Sequence, residues 1–279
     1  MIADRLVAKA LTEARPNPSG WWRAKCPLCE ERTGKQDRKG ALSINVHSGV
    51  YYCWKCGATG CVREGDREVF HGDAPEKSAP EAFSPPEAFT PLLDPALSLE
   101  PARRYLAGRG LDLEMLAGVG VGACSSGRYA RRVVVPVLGG DGETWMGWVG
   151  RTWVPGVEPT YYYPAGMARG SVLYNQAALM VATEAPVYVV EGVFDALALG
   201  EDAVAVLGKA SEHHVELLTG AARPVVIVLD GDAWLEGLAL AMRLRMYGRR
   251  AGAVRLPPKT DPYEVPFEWV REEALRSLE

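Results

Sequence analysis

The chain lacks any apolar run that approaches membrane-spanning length, and nothing near its N-terminus reads as an export signal. Residues 1–15 have the pattern of a short amphipathic helix instead. These absences exclude a membrane partner and set the expectation of a cytoplasmic protein, where structural disulfides are rare. Strong charge of either sign is also missing, the net charge being −4 over 279 residues. Cysteine is scarce, at six, so the arrangement of those six carries information. With 48% of its residues apolar, the chain has enough core-forming material for two or three domains.

The small net charge hides an uneven distribution. Residues 1–73 carry 12 Lys/Arg against 9 Asp/Glu, and residues 103–172 carry 8 against 5. Residues 173–279 reverse the balance, with 10 against 16. Two mildly basic regions thus precede an acidic one. That order admits a nucleic-acid partner, and it admits an acidic cluster that holds divalent metal ions.

Four of the six cysteines form two knuckles, Cys26-Pro-Leu-Cys29 and Cys53-Trp-Lys-Cys56, with 23 residues between them. A tetrahedral zinc ion needs two ligand pairs brought together by a hairpin, and the intervening segment reads as one. Leu42, Ile44 and Val46 alternate as a half-buried strand, His47-Ser48-Gly49 turns, and Val50-Tyr51-Tyr52 returns. One structural zinc on four thiolates is the expectation, against two disulfides or free core thiols. Cys61, by its spacing, reads as a packed thiol, and Cys124 is left over.

Residues 74–91 are rich in Pro, Ala and Glu and read as a semi-extended linker. Beyond it, Pro101–Arg109 and Leu113–Ala117 read as short helices. Val133–Leu138 and Thr144–Trp153 read as strands about a Gly139–Gly142 hairpin turn. The arginines of this block, Arg128, Arg131, Arg132, Arg151 and Arg169, fall at strand ends and turns. After Pro186 the pattern alternates. Strands are expected at Val187–Val190, Ala203–Leu207, Val225–Leu229 and Val254–Leu256. Helices are expected at Asp195–Leu199, Glu212–Leu218, Leu235–Tyr247 and Pro266–Leu278. Such alternation means a parallel sheet with helices on both faces.

Ligands gather at the carboxyl ends of the strands in an open parallel sheet. Glu191 follows the first apolar strand, Asp230 and Asp232 follow the third, and Asp261 lies just past the fourth. Hard oxygen ligands clustered in this way suit Mg²⁺ or Mn²⁺. Gly231 falls where a side chain would crowd a bound ion. The competing reading has each acid capping the helix after its strand, and for Asp195 that reading is preferred.

Val189-Val190-Glu191-Gly192 followed by Val228-Leu229-Asp230-Gly231-Asp232 resembles the TOPRIM domain of DnaG-type primases, topoisomerases and some nucleases. The cysteine module resembles the zinc-binding domain of bacterial and phage DnaG-type primases, with Cys26–Cys29, Leu42–Val46 and Tyr52–Gly57 in the matching places. Three middle stretches are similar to that family as well: Ala102–Leu111, Arg132–Val137 with Gly147–Arg151, and Ala168–Tyr174. Two departures stand out. Thr160 follows Pro159 where the family usually has Lys, and Ala233-Trp234-Leu235 follows Asp232 where many members have a small pair.

The resemblance implies an α+β chain of four parts: a zinc-ribbon template-recognition domain over 1–73, a linker over 74–98, a basic polymerase subdomain of mixed α/β structure over 99–182, and a doubly wound parallel α/β TOPRIM subdomain over 183–279. It implies a DNA primase that makes short primers de novo from ribonucleoside triphosphates on single-stranded DNA. Glu191, Asp230 and Asp232 would be the catalytic acids and hold the Mg²⁺ or Mn²⁺, with Asp261 accessory. Glu191 is equally open to a role as base. Arg132, Arg151 and Arg169 would contact template or nucleotide, helped by Trp54 and Lys55 from among the aromatics and cations of the zinc module (Trp21, Trp22, Arg23, Lys25, Tyr51, Tyr52). A replicative helicase is the implied partner, the chain itself being a monomer or weakly self-associating. No helicase-binding domain or helicase motor follows Glu279, which suggests a compact phage, plasmid or mobile-element type. The alternatives are a non-catalytic template-recognition or regulatory protein and a TOPRIM nuclease.

Overall fold

A computed structural model of the chain describes residues 6–7, 9–10, 21–45, 50–62 and 82–279. The turn expected at His47–Gly49, residues 74–81 of the linker expected over 74–98 and most of the helix expected over 1–15 lie outside the described residues, as do the side chains of Trp21 and Cys61. The rest of that expected linker includes the strand Phe89–Pro91 and the buried Leu92. The chain divides into two units. One takes in Met1–Ala79 with Arg245–Gly248, the other Pro80–Leu244 with Arg249–Glu279.

In the first unit, β1 (Trp21–Ala24), β2 (Leu42–Asn45), β3 (Val50–Cys53) and β4 (Thr59–Cys61) form an antiparallel sheet in chain order. Period-2 alternation sorts its residues by face. Trp22 pairs with Ile44 and Ile44 with Tyr51, and all three are buried. Arg23, Ser43, Tyr52 and Thr59 are cross-strand neighbours on the other face. A five-residue helix, α1 (Cys29–Thr33), follows the first knuckle and ends at Gly34, whose φ of +67° suits a residue without a side chain.

The second unit begins with a five-stranded antiparallel sheet, again in chain order. Its strands are β5 (Phe89–Pro91), β6 (Gly122–Cys124), β7 (Arg132–Leu138), β8 (Trp145–Thr152) and β9 (Tyr161–Tyr162). Val133, Val135, Val137 and Val149 turn one face into the core, where Leu106 of α2 (Glu100–Ala107) and Leu116 of α3 (Leu113–Gly118) belong to the same cluster. Asp112 caps α3 by accepting the Met115 N–H at 2.8 Å.

A parallel sheet of β10 (Val187–Val190), β11 (Ala203–Ala205), β12 (Val225–Ile227) and β13 (Ala251–Ala253) completes the unit, in the spatial order β11-β10-β12-β13. The intervening and following helices are α4 (Val193–Leu199), α5 (Glu212–Thr219), α6 (Trp234–Met246) and α7 (Phe267–Ser277). β10 and β12 are wholly buried, as strands between helical layers must be. The fourth strand runs three residues earlier than its expected position at Val254–Leu256. Its Ala-Gly-Ala sequence has too little apolar bulk to register as a strand. A Cβ at Gly252 would meet the Ser277 Oγ at 2.1 Å, so the close approach of α7 demands small residues there. Chain order explains where a site must open. From β10 the connection runs outward to β11, and from β12 it runs the other way to β13, so a crevice forms between the carboxyl ends of two adjacent strands.

Candidate functional site

The four expected thiols meet. The Sγ atoms of Cys26, Cys29, Cys53 and Cys56 all lie within 4.8 Å of one another, with Cys26 and Cys56 at 3.8 Å and Cys29 and Cys53 at 3.6 Å. A tetrahedral zinc with Zn–S bonds of about 2.3 Å places its sulfurs about 3.8 Å apart, so the spacing fits zinc and not a disulfide. Burial drives the Cys26 thiol far above its ordinary pKa and pushes Cys29 up to about 12, so a set of thiolates needs a cation among them. Asp37 clasps the first knuckle. Its carboxylate accepts the backbone N–H groups of Cys26 (2.9 Å), Lys39 (2.9 Å), Gly40 (3.1 Å) and Ala41 (2.6 Å). Burial opposes ionisation of Asp37, but those four donors win and hold its carboxyl below the usual range.

The acids form a looser group at the crevice. Glu191 leaves β10 and Asp230 leaves β12, next to each other at the sheet edge. Burial, then the charges of Asp261 and Glu191, push the Asp230 carboxyl up to about 6, with Asp232 adding to the same effect. Asp195 belongs here too. Burial, then Asp230 and Asp261, push its carboxyl up to about 7, against the pull of Arg109 and a backbone N–H from Tyr263. Asp195 is thus not the helix cap expected of it. Gly192 occupies the N-cap of α4, and the Asp195 carboxylate folds back so closely that a Cβ at Gly192 would meet its Oδ2 at 2.5 Å. The spacing held a signal for this: four residues after Glu191, a first-turn side chain leans back toward the strand end. Among the described residues, these oxygens do not draw into one tight ligand set as the thiols do. Hard carboxylates raised by mutual repulsion fit a divalent cation, which would relieve the repulsion.

Two loops hold the aspartates. The Gly231 N–H donates to the Thr260 carbonyl at 3.0 Å, and the Lys259 N–H donates to Asp232 Oδ1 at 3.2 Å. Gly231 is small for a reason beyond the one expected. A Cβ there would lie 1.9 Å from the Pro257 carbonyl oxygen, so backbone alone demands a glycine.

Beside the acids stands a wall of aromatics and arginines. Arg151 lies two residues past inward-facing Val149 on β8 and so points the same way. Its guanidinium donates to the Tyr105 hydroxyl at 2.5 Å and to the Tyr161 hydroxyl, and lies over the Tyr161 and Phe194 rings at 4.6 and 5.4 Å. Arg109 lies over Phe194 at 5.4 Å and Tyr263 at 4.6 Å. Phe194 precedes Asp195 on α4, which puts the wall next to the acid cluster. Arg109, Tyr105 and Tyr161 were not singled out from sequence; an Arg one helical turn after a Tyr was the available signal.

The other expected contacts divide. Arg132 is buried, 6% exposed, and its guanidinium donates to the carbonyls of Thr160 (3.1 Å) and Pro159 (2.6 Å). It braces that loop from inside, which leaves it unsuited to the template contact expected of it. Arg169 is exposed and lies over Tyr163 at 4.3 Å, on a segment whose carbonyls at 169 and 172 meet His214 Nε2. Trp54 is 37% exposed, with its Nε1 donating to Ser43 Oγ at 2.9 Å and its ring edge-on to Tyr52. Lys55 is exposed and donates to the carbonyls of Lys35 and Gln36.

No family model matches the chain, and no curated protein does. Solved structures do. A DnaG primase catalytic domain bound to single-stranded DNA aligns with a TM-score of 0.56 and 24% identity, over 67% of this chain and 74% of that one. The DnaG catalytic core aligns at 0.51 and 25%, over 67% and 72%. The Aquifex aeolicus primase, with zinc-binding and RNA polymerase domains, aligns at 0.53 and 19%, over 100% of this chain and 85% of that one. No described helix is long and apolar enough to cross a membrane. The chain therefore has the fold of the DnaG-type primases, in its four-cysteine module and its polymerase-like part alike.

Proposed function

We propose that the chain is a DNA primase, which joins ribonucleotides de novo on single-stranded DNA. One observation carries this reading: carboxylates that follow β10, β12 and β13, with Asp195 of α4, lie near enough along the crevice to push the Asp195 and Asp230 carboxyls up, beside two arginines on aromatic rings. Residues 99–182 act as the basic subdomain and 183–279 as the catalytic TOPRIM subdomain. Glu191, Asp230 and Asp232 hold the divalent ion, with Asp261 and Asp195 accessory. Bound there, Mg²⁺ or Mn²⁺ would lower the pKa of an attacking 3′-hydroxyl and offset phosphate charge.

The chain's own side chains do the rest. Arg109 and Arg151 bind nucleotide phosphate or template backbone at fixed positions, since ring and hydroxyl contacts hold both guanidiniums in place. Tyr105 and Tyr161 orient Arg151, and burial keeps the Tyr161 phenol protonated despite the pull of that arginine. On the zinc module, Arg23, Tyr52, Trp54 and Lys55 offer cations and stacking surfaces to unpaired bases. A replicative helicase is the partner we propose, in the cytoplasm of a bacterial cell.

The test uses the full chain with a single-stranded template, labelled ribonucleotides and Mg²⁺ or Mn²⁺. Short new products support the primase. Shortened DNA identifies a nuclease instead, and binding without chemistry a non-catalytic recognition protein. Asp232→Asn removes one exposed carboxylate charge without touching the core. Synthesis should fall by at least about a hundredfold, while DNA binding stays at or slightly above the parent's. Primer yields near the parent's in Mg²⁺ would refute the proposed acids.

A further inference from the structure

A cavity of about 560 Å³ opens on the second unit and shares no residue with the acid cluster. Pro136, Leu138 and Trp145 give it an apolar wall, and the loop Val119-Gly120 and the segment Tyr174–Ala177 close its sides. Its only charged lining residue is Glu143, at the turn between β7 and β8; no lysine, arginine or histidine lines it. Asp141 in the same turn adds to the negative charge. The Thr144 hydroxyl and the N–H groups of Glu143 and Thr144 hold its carboxyl down at about 2.

Tyr174 is the second observation. It is 7% exposed and lines the cavity, and no described residue hydrogen-bonds its hydroxyl. Burial raises its pKa far above the ordinary value, so the hydroxyl stays a protonated donor. The hydroxyl itself is not among the fully buried polar atoms that lack a partner, so it keeps access to the cavity and can donate to an acceptor on an occupant. Gly118, Gly120, Gly139 and Gly142 leave the rim free of side chains, which gives the backbone of an occupant room to approach.

We infer that this groove binds a short basic segment of a partner protein. One large apolar side chain would rest on Pro136, Leu138 and Trp145, a Lys or Arg would pair with Glu143, and a backbone carbonyl would accept from Tyr174. Charge complementarity selects this occupant. A phosphate-bearing ligand would find no cation in the lining and would meet Glu143 and Asp141. The inference is independent of whether the chain makes primers.

An array of capped heptapeptides of mixed composition, probed with the full chain at low salt, tests it. Selected peptides should combine Lys or Arg with one Leu, Phe or Met, and the best of them should quench or shift tryptophan fluorescence in the parent but not in Trp145→Phe. Glu143→Lys, at an exposed turn, should weaken that peptide at least tenfold. Tyr174→Phe, which deletes only the unpaired hydroxyl and leaves the fold intact, should weaken it about threefold or more. Selection of acidic or neutral peptides, no selection at all, or equal binding by both variants would overturn the proposal. Tighter binding of ATP than of any peptide, lost in Tyr174→Phe, would overturn it in favour of a nucleotide pocket.

Discussion

The thiol cluster and the acid cluster are both metal-site candidates, and they are built on opposite principles. Four sulfurs lie within 4.8 Å of one another in a module whose remaining core is a handful of side chains. The acids spread along the carboxyl ends of strands of which β10, β11 and β12 are fully buried without them. A closed site contributes directly to folding, because a small domain cannot bury enough apolar surface alone. An open site leaves positions for substrate and water, and the fold it stands on has to tolerate its repulsion. Losing a ligand should therefore unfold the first unit but only disable the second.

The largest effect belongs to Cys53→Ala. Removing one thiolate should cost nearly all the zinc and unfold the sheet of β1–β4, while the second unit keeps its own melting transition. Metal analysis and a thermal scan check this together. Near-stoichiometric zinc in the variant, or a single transition lost as a whole, would erase the contrast between the two sites.

How much of that contrast was legible beforehand follows from how local each site is. Two CxxC pairs state their chemistry in eight residues, and the hairpin between them follows from alternation at Leu42–Val46. Glu191 and Asp230 stood out as candidates because each directly ends an apolar run, with Asp232 two residues further on. Asp195 was not, because its role depends on a helix start bringing the side chain back over Gly192. Arg132 misled for the matching reason: a charged residue opening a strand looks exposed until the loop at Pro159 and Thr160 covers it. β13 escaped because small residues signal helix contact only once the contacting helix is known. What depended on a distant segment could not be read.

A smaller, graded effect is expected at the acid cluster without metal. Asp195 has its carboxyl raised from 3.8 to about 7, and Asp230 to about 6. Between pH 4 and 7 the folded state thus holds protons that the unfolded chain has released, so stability falls as pH rises through that window. Asp195→Asn removes part of the penalty. In EDTA at pH 7.5 the variant's second unit should gain on the order of 1 kcal/mol, about 2–4 °C in Tm, though its synthesis falls. Mg²⁺ should raise the parent's Tm more than the variant's. A parent whose stability in EDTA is flat from pH 4 to 7.5 would show that these acids do not repel one another as argued.

The smallest effect sharpens the comparison inside the second unit, between two arginines only a strand apart. Arg151 and Arg132 lie on neighbouring strands, but Arg151 stands at the aromatic wall beside the acids while buried Arg132 is spent on the carbonyls of Pro159 and Thr160. Removing a phosphate contact from a protein on single-stranded DNA lowers the salt slope by about 0.7. Arg151→Ala should therefore bind template about three- to tenfold more weakly at 50 mM salt and converge with the parent as salt rises. Arg132→Ala should instead lower Tm, since two carbonyls lose their buried donor, with the salt slope unchanged. Salt titrations of the two variants beside their melting curves separate the roles. If Arg132→Ala flattened the slope and Arg151→Ala did not, the track would run along the other face of the sheet, and the wall at Phe194 would be a structural brace for α4.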